Sequence, residues 1–180
     1  MTLLTPTFEF VLGRAICVHI PHAFHTGGEV LENELLKLAQ QQGKRASVAR
    51  PPGFETVTRG LNHKETSEDW LARVGGISKA EAKEVIADLG IWVAEKVAYN
   101  AGTPRALLGI AATLINKPDV IMYTDSGLDP EGRLSLHRFV TSKCQHLSVV
   151  HVSYPSTYGD GSPYPRNCPA NFQCIELTAS

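Results

Sequence analysis

The sequence predicts a layered α/β domain, and two observations carry that prediction. Nearly unbroken apolar runs at residues 15–20, 119–123 and 147–152 have the pattern of strands buried on both faces. Between them, residues 29–42, 103–115 and 129–143 carry apolar side chains at helical spacing. Strands alternating with helices place the helices against a sheet. A length of 180 residues suffices for one domain with a sizeable core.

In chain order, residues 8–12 and 15–20 read as two short strands separated by Gly13-Arg14. Residues 29–42 form a helix with Leu31, Leu35, Leu36 and Leu38 on one side and Gly43 at its end. Residues 44–64 stay open: 46–49 can make a short strand, and Pro51-Pro52-Gly53 breaks any regular element. Residues 70–74 fit a turn or two of helix before Gly75-Gly76. Ser78 with Glu81 is a capping box, preceded by Ile77, for a helix that runs to about Leu89 and stops at Gly90. Residues 91–98 are expected as another short helix.

Thr103 is then expected to cap a helix with Pro104 at its first position, where a missing amide costs nothing. Leu107, Leu108, Ala111, Leu114 and Ile115 give that helix a broad buried face, and Asn116-Lys117-Pro118 ends it before the strand at 119–123. Asp129-Pro130 starts a helix to about Lys143, followed by the strand at 147–152. Residues 153–171 hold four prolines and two glycines and read as loop, with 172–177 returning as an edge strand. The expected organisation is one domain over 1–155, with 156–180 a Pro/Gly-rich tail packed on it.

The composition excludes several function classes. A net charge of -1 with seven histidines gives no polybasic field, so neither nucleic acid nor an anionic membrane surface is implied as partner. No apolar run approaches the roughly 20 residues that span a bilayer. Residues 1–10 lack a basic segment followed by an apolar stretch, so no secretion signal is expected. Cys17, Cys144, Cys168 and Cys174 are scattered; Cys168 and Cys174, the one close pair, could meet in a tail hairpin, but thiols in a reducing cytosol are the expectation. The expected location is cytoplasmic, or peripheral at the inner face of a membrane.

The most informative block runs from Thr103 to Ser153: helix, Asn-Lys-Pro-Asp, apolar strand, Ser-Gly-Leu-Asp-Pro, helix, apolar strand. This order and spacing resembles the C-terminal half of an ABC-type ATPase domain, a P-loop NTPase. In that family a Pro-Asp leads into the Walker B strand, a Ser-Gly-Leu-Asp turn called the D-loop follows, and a later strand carries the switch histidine. Weaker similarity extends upstream, with residues 13–20 resembling the strand that enters the P-loop and 70–90 part of a helical subdomain. The resemblance implies a central, mostly parallel sheet with a reduced helical subdomain. Ser126, Gly127, Leu128 and Asp129 would then form a D-loop-like interface segment. On the residues alone, an ordinary strand-to-helix turn explains these four equally well.

The family's chemistry does not survive in the residues. Phosphoryl transfer needs a Gly-rich turn with a Lys on the phosphates, and a magnesium ion held by a hydroxyl and a carboxylate. The loop reads Ile20-Pro21-His22-Ala23-Phe24-His25-Thr26-Gly27-Gly28, and the first downstream lysine is Lys37, inside a helix. Counting back from Ser126, the Walker B aspartate position falls on Met122 and the catalytic glutamate position on Tyr123. Asp125 is acidic but displaced. The signature positions read Ala101, Gly102 and Thr103, and the switch position falls on Ser153, with His151 two residues earlier on the same face. Loss at every station implies no ATPase activity, since each such group is worth orders of magnitude in rate.

The expectation is a pseudo-ATPase acting as an assembly or regulatory subunit of an export or membrane-associated complex, paired with itself or with an active relative, and needing no cofactor. One alternative is a divergent subunit of an ABC-type transporter that still binds ATP. Another is a metal-binding protein using His19, His22 and His25, three residues apart, which could converge on a transition metal. Solvated or hydrogen-bonded loop histidines are the plainer account of that trio.

Overall fold

A computed structural model describes residues 8–20, 28–53, 64–154, 169 and 171–177. The chain divides into two compact units, one of residues 1–48, 118–126 and 141–180, the other of 49–117 and 127–140.

The first unit is built on a five-stranded sheet. Its strands are β1 (Ala15–His19), β2 (Ala46–Val48), β3 (Val120–Tyr123), β4 (Ser148–Ser153) and β5 (Gln173–Glu176), in spatial order β2-β3-β4-β1-β5. All four pairings are parallel. β1, β3 and β4 are buried along almost their whole length, which accounts for their unbroken apolar sequences. Alternate residues separate the two faces. Ile16, Val18, Val120, Met122, Val150 and Val152 form one face, and they join Leu31, Leu35 and Ala39 of α1 (Gly28–Gln41) in a single apolar core. The other face carries Cys17, His19, Tyr123 and His151, all buried. The edge strand read from residues 172–177 is β5, beside β1.

The strand expected at residues 8–12 does not form. β1 is already flanked by β4 and β5, so no sheet edge remains for residues 8–12 to pair with it. Gln42 serves this segment instead: its Oε1 accepts from the Phe10 amide at 2.9 Å, and its Nε2 donates to the Phe8 carbonyl at 2.8 Å.

The Pro-Asp that leads into β3 has a local structural task. The Asp119 carboxylate accepts from the Arg45 amide at 2.8 Å and from the Arg45 guanidinium at 3.2 and 3.3 Å, fixing the start of β2 against β3. The Arg45 side chain, then its amide, hold Asp119 below the usual carboxylate range. Asp69, beside the Thr66 hydroxyl and Lys79, and Glu81, beside the Ser78 hydroxyl and amide, are lowered too. A carboxylate lowered in the folded state contributes stability above its ordinary pKa and loses it as pH falls through the folded value. Stability to urea is therefore expected to decline below about pH 4. Asp119→Asn should make that decline shallower; equal slopes for the two proteins would remove Asp119 from the account.

The second unit holds α2 (Ser67–Gly75), α3 (Lys79–Ala87) and α4 (Gly102–Ile115), which pack on one another. It also holds most of α5 (Pro130–Ser142). The capping box at Ser78 forms as read: Ser78 Oγ accepts from the Glu81 amide at 3.2 Å, and the Glu81 carboxylate accepts from the Ser78 amide at 2.8 Å. α4 is buried continuously from Leu107 to Ala112, the mark of a helix enclosed on all sides.

Two expectations fail here. Residues 91–98 form no α-helix, and only Val97–Tyr99 makes a 3-10 turn. The buried Asn100 explains this, since its Oδ1 accepts from the Ala94 amide at 2.8 Å and its Nδ2 donates to Ser67 Oγ at 2.9 Å and to the Lys96 carbonyl at 3.2 Å. Those bonds occupy groups a helix would need. Thr103 does not cap α4: the helix begins at Gly102, and Ala101 before it makes no side-chain cap. Gly102, at φ 54°, turns the chain into the helix and leaves Thr103 and Pro104 inside the first turn.

Candidate functional site

In an open parallel sheet, ligands gather beyond the carboxyl ends of the strands. Here β1, β3 and β4 end at His19, Tyr123 and Ser153, in the first unit. The side chains at these ends are set by register. Tyr123 pairs with His151, His151 with Cys17, and Cys17 with Cys174, so one row crosses four neighbouring strands on a single face.

The row is a chain of polar contacts in a buried place. Cys17 is fully buried and His151 is 2% exposed. Cys17 Sγ lies 3.3 Å from His151 Nδ1 and 3.7 Å from His19 Nε2. On its far side, His151 Nε2 lies 3.0 Å from Asp125 Oδ1, an ion-pair distance rather than an aligned N–H···O bond. The Tyr123 ring stacks obliquely on His151 at 5.1 Å, and Phe172 meets it edge-on at 6.4 Å. Carboxylate, imidazole and thiol in sequence make a set suited to holding a proton or a cation. The burial of Cys17 and His151 leaves little access for an organic substrate.

Asp125 and His151 are far apart in the sequence, and the structure joins them. Their meeting depends on β3–β4 register and on the turn after β3, which linear spacing does not encode. The available signal was His151 itself, a polar residue inside the apolar run Ser148–Ser153. Met122 points the other way, wholly buried in the apolar core. Ser153 ends β4 opposite His19.

Residues 126–129 adopt a turn whose hydrogen bonds are local. Ser126 and Gly127 are exposed, Leu128 is half-buried and Asp129 is exposed. Thr124 Oγ1 lies 2.9 Å from Ser126 Oγ and accepts from the Ser126 amide at 3.2 Å. Gly127 takes φ 78°, the left-handed region that glycine tolerates. Asp129 Oδ1 accepts from the Gly132 amide at 2.7 Å, capping α5. The turn reading thus accounts for Gly127 and Asp129, while Ser126 presents its surface outward.

Of the proposed metal trio, His19 is the buried last residue of β1, and His22 and His25 lie outside the described residues, as does the rest of the loop 21–27. His19 instead lies with Cys17 and Cys174, their ligand atoms all within 4.8 Å of one another. Linear spacing does not mark Cys174 for this set, because its neighbours are chosen by strand pairing. Cys174 is also disulfide-bonded, against the expectation of thiols, while Cys17 carries a thiol. No helix among the described residues is long and apolar enough to cross a membrane.

No protein-family model matches the sequence, and no curated protein matches it. Solved structures do match in fold. A nucleotide-free ATP-binding cassette from an ABC transporter superposes with a TM-score of 0.57 at 12% identity, over 82% of this chain and 72% of that one. A protein from Pyrococcus furiosus assigned as an ABC transporter ATP-binding protein superposes with a TM-score of 0.63 at 13% identity, over 92% of this chain and 84% of that one. The α/β architecture with its parallel sheet is accordingly that of ABC-type ATP-binding cassettes, the P-loop NTPase fold.

Proposed function

We propose that this chain is a non-catalytic ABC-ATPase-like subunit that works by pairing, with itself or with an active relative, in an export or membrane-associated complex. The observation that carries the reading is the carboxyl end of β3. Where the family resemblance puts the acids for magnesium and for water, Met122 is enclosed by the apolar core and Tyr123 lies against His151. Asp125, the nearby acid, is 3.0 Å from that imidazole. A hard cation needs several oxygen ligands, and these side chains do not fit magnesium-nucleotide. The sequence of the loop after β1, without Gly-Lys-Ser/Thr, agrees.

The exposed Ser126 and Gly127 supply a contact surface, and Trp92 and Tyr99, at 79% and 68% exposure, supply aromatic anchors of the kind that dominate interfaces. Two measurements test the reading. Phosphate release from magnesium-ATP should not rise above the protein-free rate, and magnesium-dependent turnover would overturn the non-catalytic assignment. Light scattering of the purified chain should give a dimer mass that Ser126→Arg converts to monomer. A monomer at every concentration, with an active relative added or not, would overturn the pairing.

A further inference from the structure

We propose that the reduced chain binds one zinc-class divalent cation through Cys17, His19 and Cys174, where β5 lies against β1. The argument starts from strand geometry. Cys17 and His19 are two residues apart on one strand and therefore share a face. Cys174 is the register partner of Cys17 across the parallel pair, so its side chain falls on the same face. The three ligand atoms lie within 4.8 Å of one another. Tetrahedral zinc holds sulfur at ~2.3 Å and nitrogen at ~2.0–2.1 Å, which sets adjacent sulfur and nitrogen ligands about 3.6 Å apart. Cys17 Sγ and His19 Nε2 stand 3.7 Å apart, close to that separation.

The surroundings suit a thiolate–imidazole site. His151 Nδ1, 3.3 Å from Cys17 Sγ, adds a second imidazole beside the set, and Asp125 stands behind that ring. A carboxylate behind an imidazole is the arrangement that orients histidine ligands and raises their basicity. Cys17 and His19 are buried while Cys174 is exposed, so an ion can reach the set from the β5 side. Two sulfurs and a nitrogen select zinc-like ions over magnesium or calcium.

The site is gated by redox state. Cys174 is disulfide-bonded in this structure, and a disulfide sulfur offers no thiolate. A dithiol reductant adds two electrons and two protons across the S–S bond, giving two thiols, and is itself oxidised to a disulfide. The metal then binds with loss of the Cys17 and Cys174 thiol protons to solvent. Reoxidation withdraws Cys174 and releases the ion.

Cobalt(II) is the probe, because thiolate coordination gives it a sulfur-to-metal charge-transfer band and tetrahedral geometry gives it strong visible absorption. Full-length chain, reduced with dithiothreitol and desalted without oxygen, should bind one equivalent with both features, and zinc should bleach them. The oxidised chain should show neither. Cys174→Ser, at an exposed position that leaves the core intact, should weaken cobalt binding by about 100-fold or more and reduce the charge-transfer intensity. Cys17→Ser should do the same, with circular dichroism confirming that it folds. A reduced wild-type chain without charge transfer, or a Cys174→Ser chain with an unchanged spectrum, would overturn the proposal. So would a His22→Ala/His25→Ala chain that loses the metal while Cys174→Ser keeps it.

Discussion

Met122→Asp is expected to destabilise the first unit by about 4 kcal/mol or more and to create no magnesium site. The substitution restores the acid that the family resemblance puts at this position, yet the side chain lies at 0% exposure among Val18, Leu35, Val120 and Val150. Removing a buried methionine costs about 2–5 kcal/mol on its own. Adding an unpaired carboxylate costs more, because the group must either stay charged in an apolar place or take up a proton against its preference. Global stabilities are typically about 5–15 kcal/mol, so the variant should be largely unfolded under mild denaturant. Met122→Leu, which conserves volume, should cost less than about 1.5 kcal/mol. Urea midpoints for the two variants measure both. A Met122→Asp chain within about 1 kcal/mol of wild type would mean that this end of β3 is wet, and the case against a nucleotide-metal site there would lose its main support.

Gly109→Ala is the second large effect, and its sign runs against helix propensity. Alanine is favoured over glycine by about 1 kcal/mol inside a helix. A Cβ at Gly109, however, would stand 2.5 Å from the Arg50 carbonyl oxygen, 2.7 Å from the Arg50 carbonyl carbon and 2.8 Å from Pro51 Cα. All three are backbone atoms. The segment cannot easily retreat, because Arg105 Nε donates to the Pro52 carbonyl at 2.7 Å and a second guanidinium nitrogen donates to the same oxygen. The overpacking should exceed the propensity gain and leave a net loss of about 2 kcal/mol, with Gly109→Val worse. Gly75→Ala is the control. Its new Cβ would meet Ile115 Cδ1 at 2.7 Å, the far end of a side chain that can change rotamer. That variant should lose less than about 1 kcal/mol in the same denaturation experiment. If Gly109→Ala is neutral or stabilising, residues 50–52 do not hold firm against α4.

The sequence made the architecture readable where one residue type answers to one local cause. Strands buried on both faces must be apolar, so β1, β3 and β4 stand out as runs. A helix start leaves amides to be satisfied, so Ser78 and Glu81 mark α3. Elements decided by distant partners were not readable in this way. Residues 8–12 have strand-like side chains, but the neighbouring β1 is already paired on both edges, and residues 91–98 have helix-like spacing that the buried Asn100 side chain overrides. The candidate site divides on the same line. Tyr123 and Ser153 lie at the ends of strands that stand out as apolar runs, so their placement at the sheet's carboxyl edge was within reach of the sequence. The row of Tyr123, His151, Cys17 and Cys174 could not, since it exists only once four strands are in register.

The neighbour relations of β1 also bear on the order of assembly. The earliest strand of the sheet is flanked by the two latest, β4 and β5. During synthesis it must wait with both edges unpaired until nearly all the described chain has emerged. Contacts of such sequence separation close slowly, and open strand edges in the meantime are prone to aggregation. A ribosome-bound intermediate of this protein should therefore be a client for chaperones that shield extended apolar segments, with the stretch around Cys17 as the part most in need of cover.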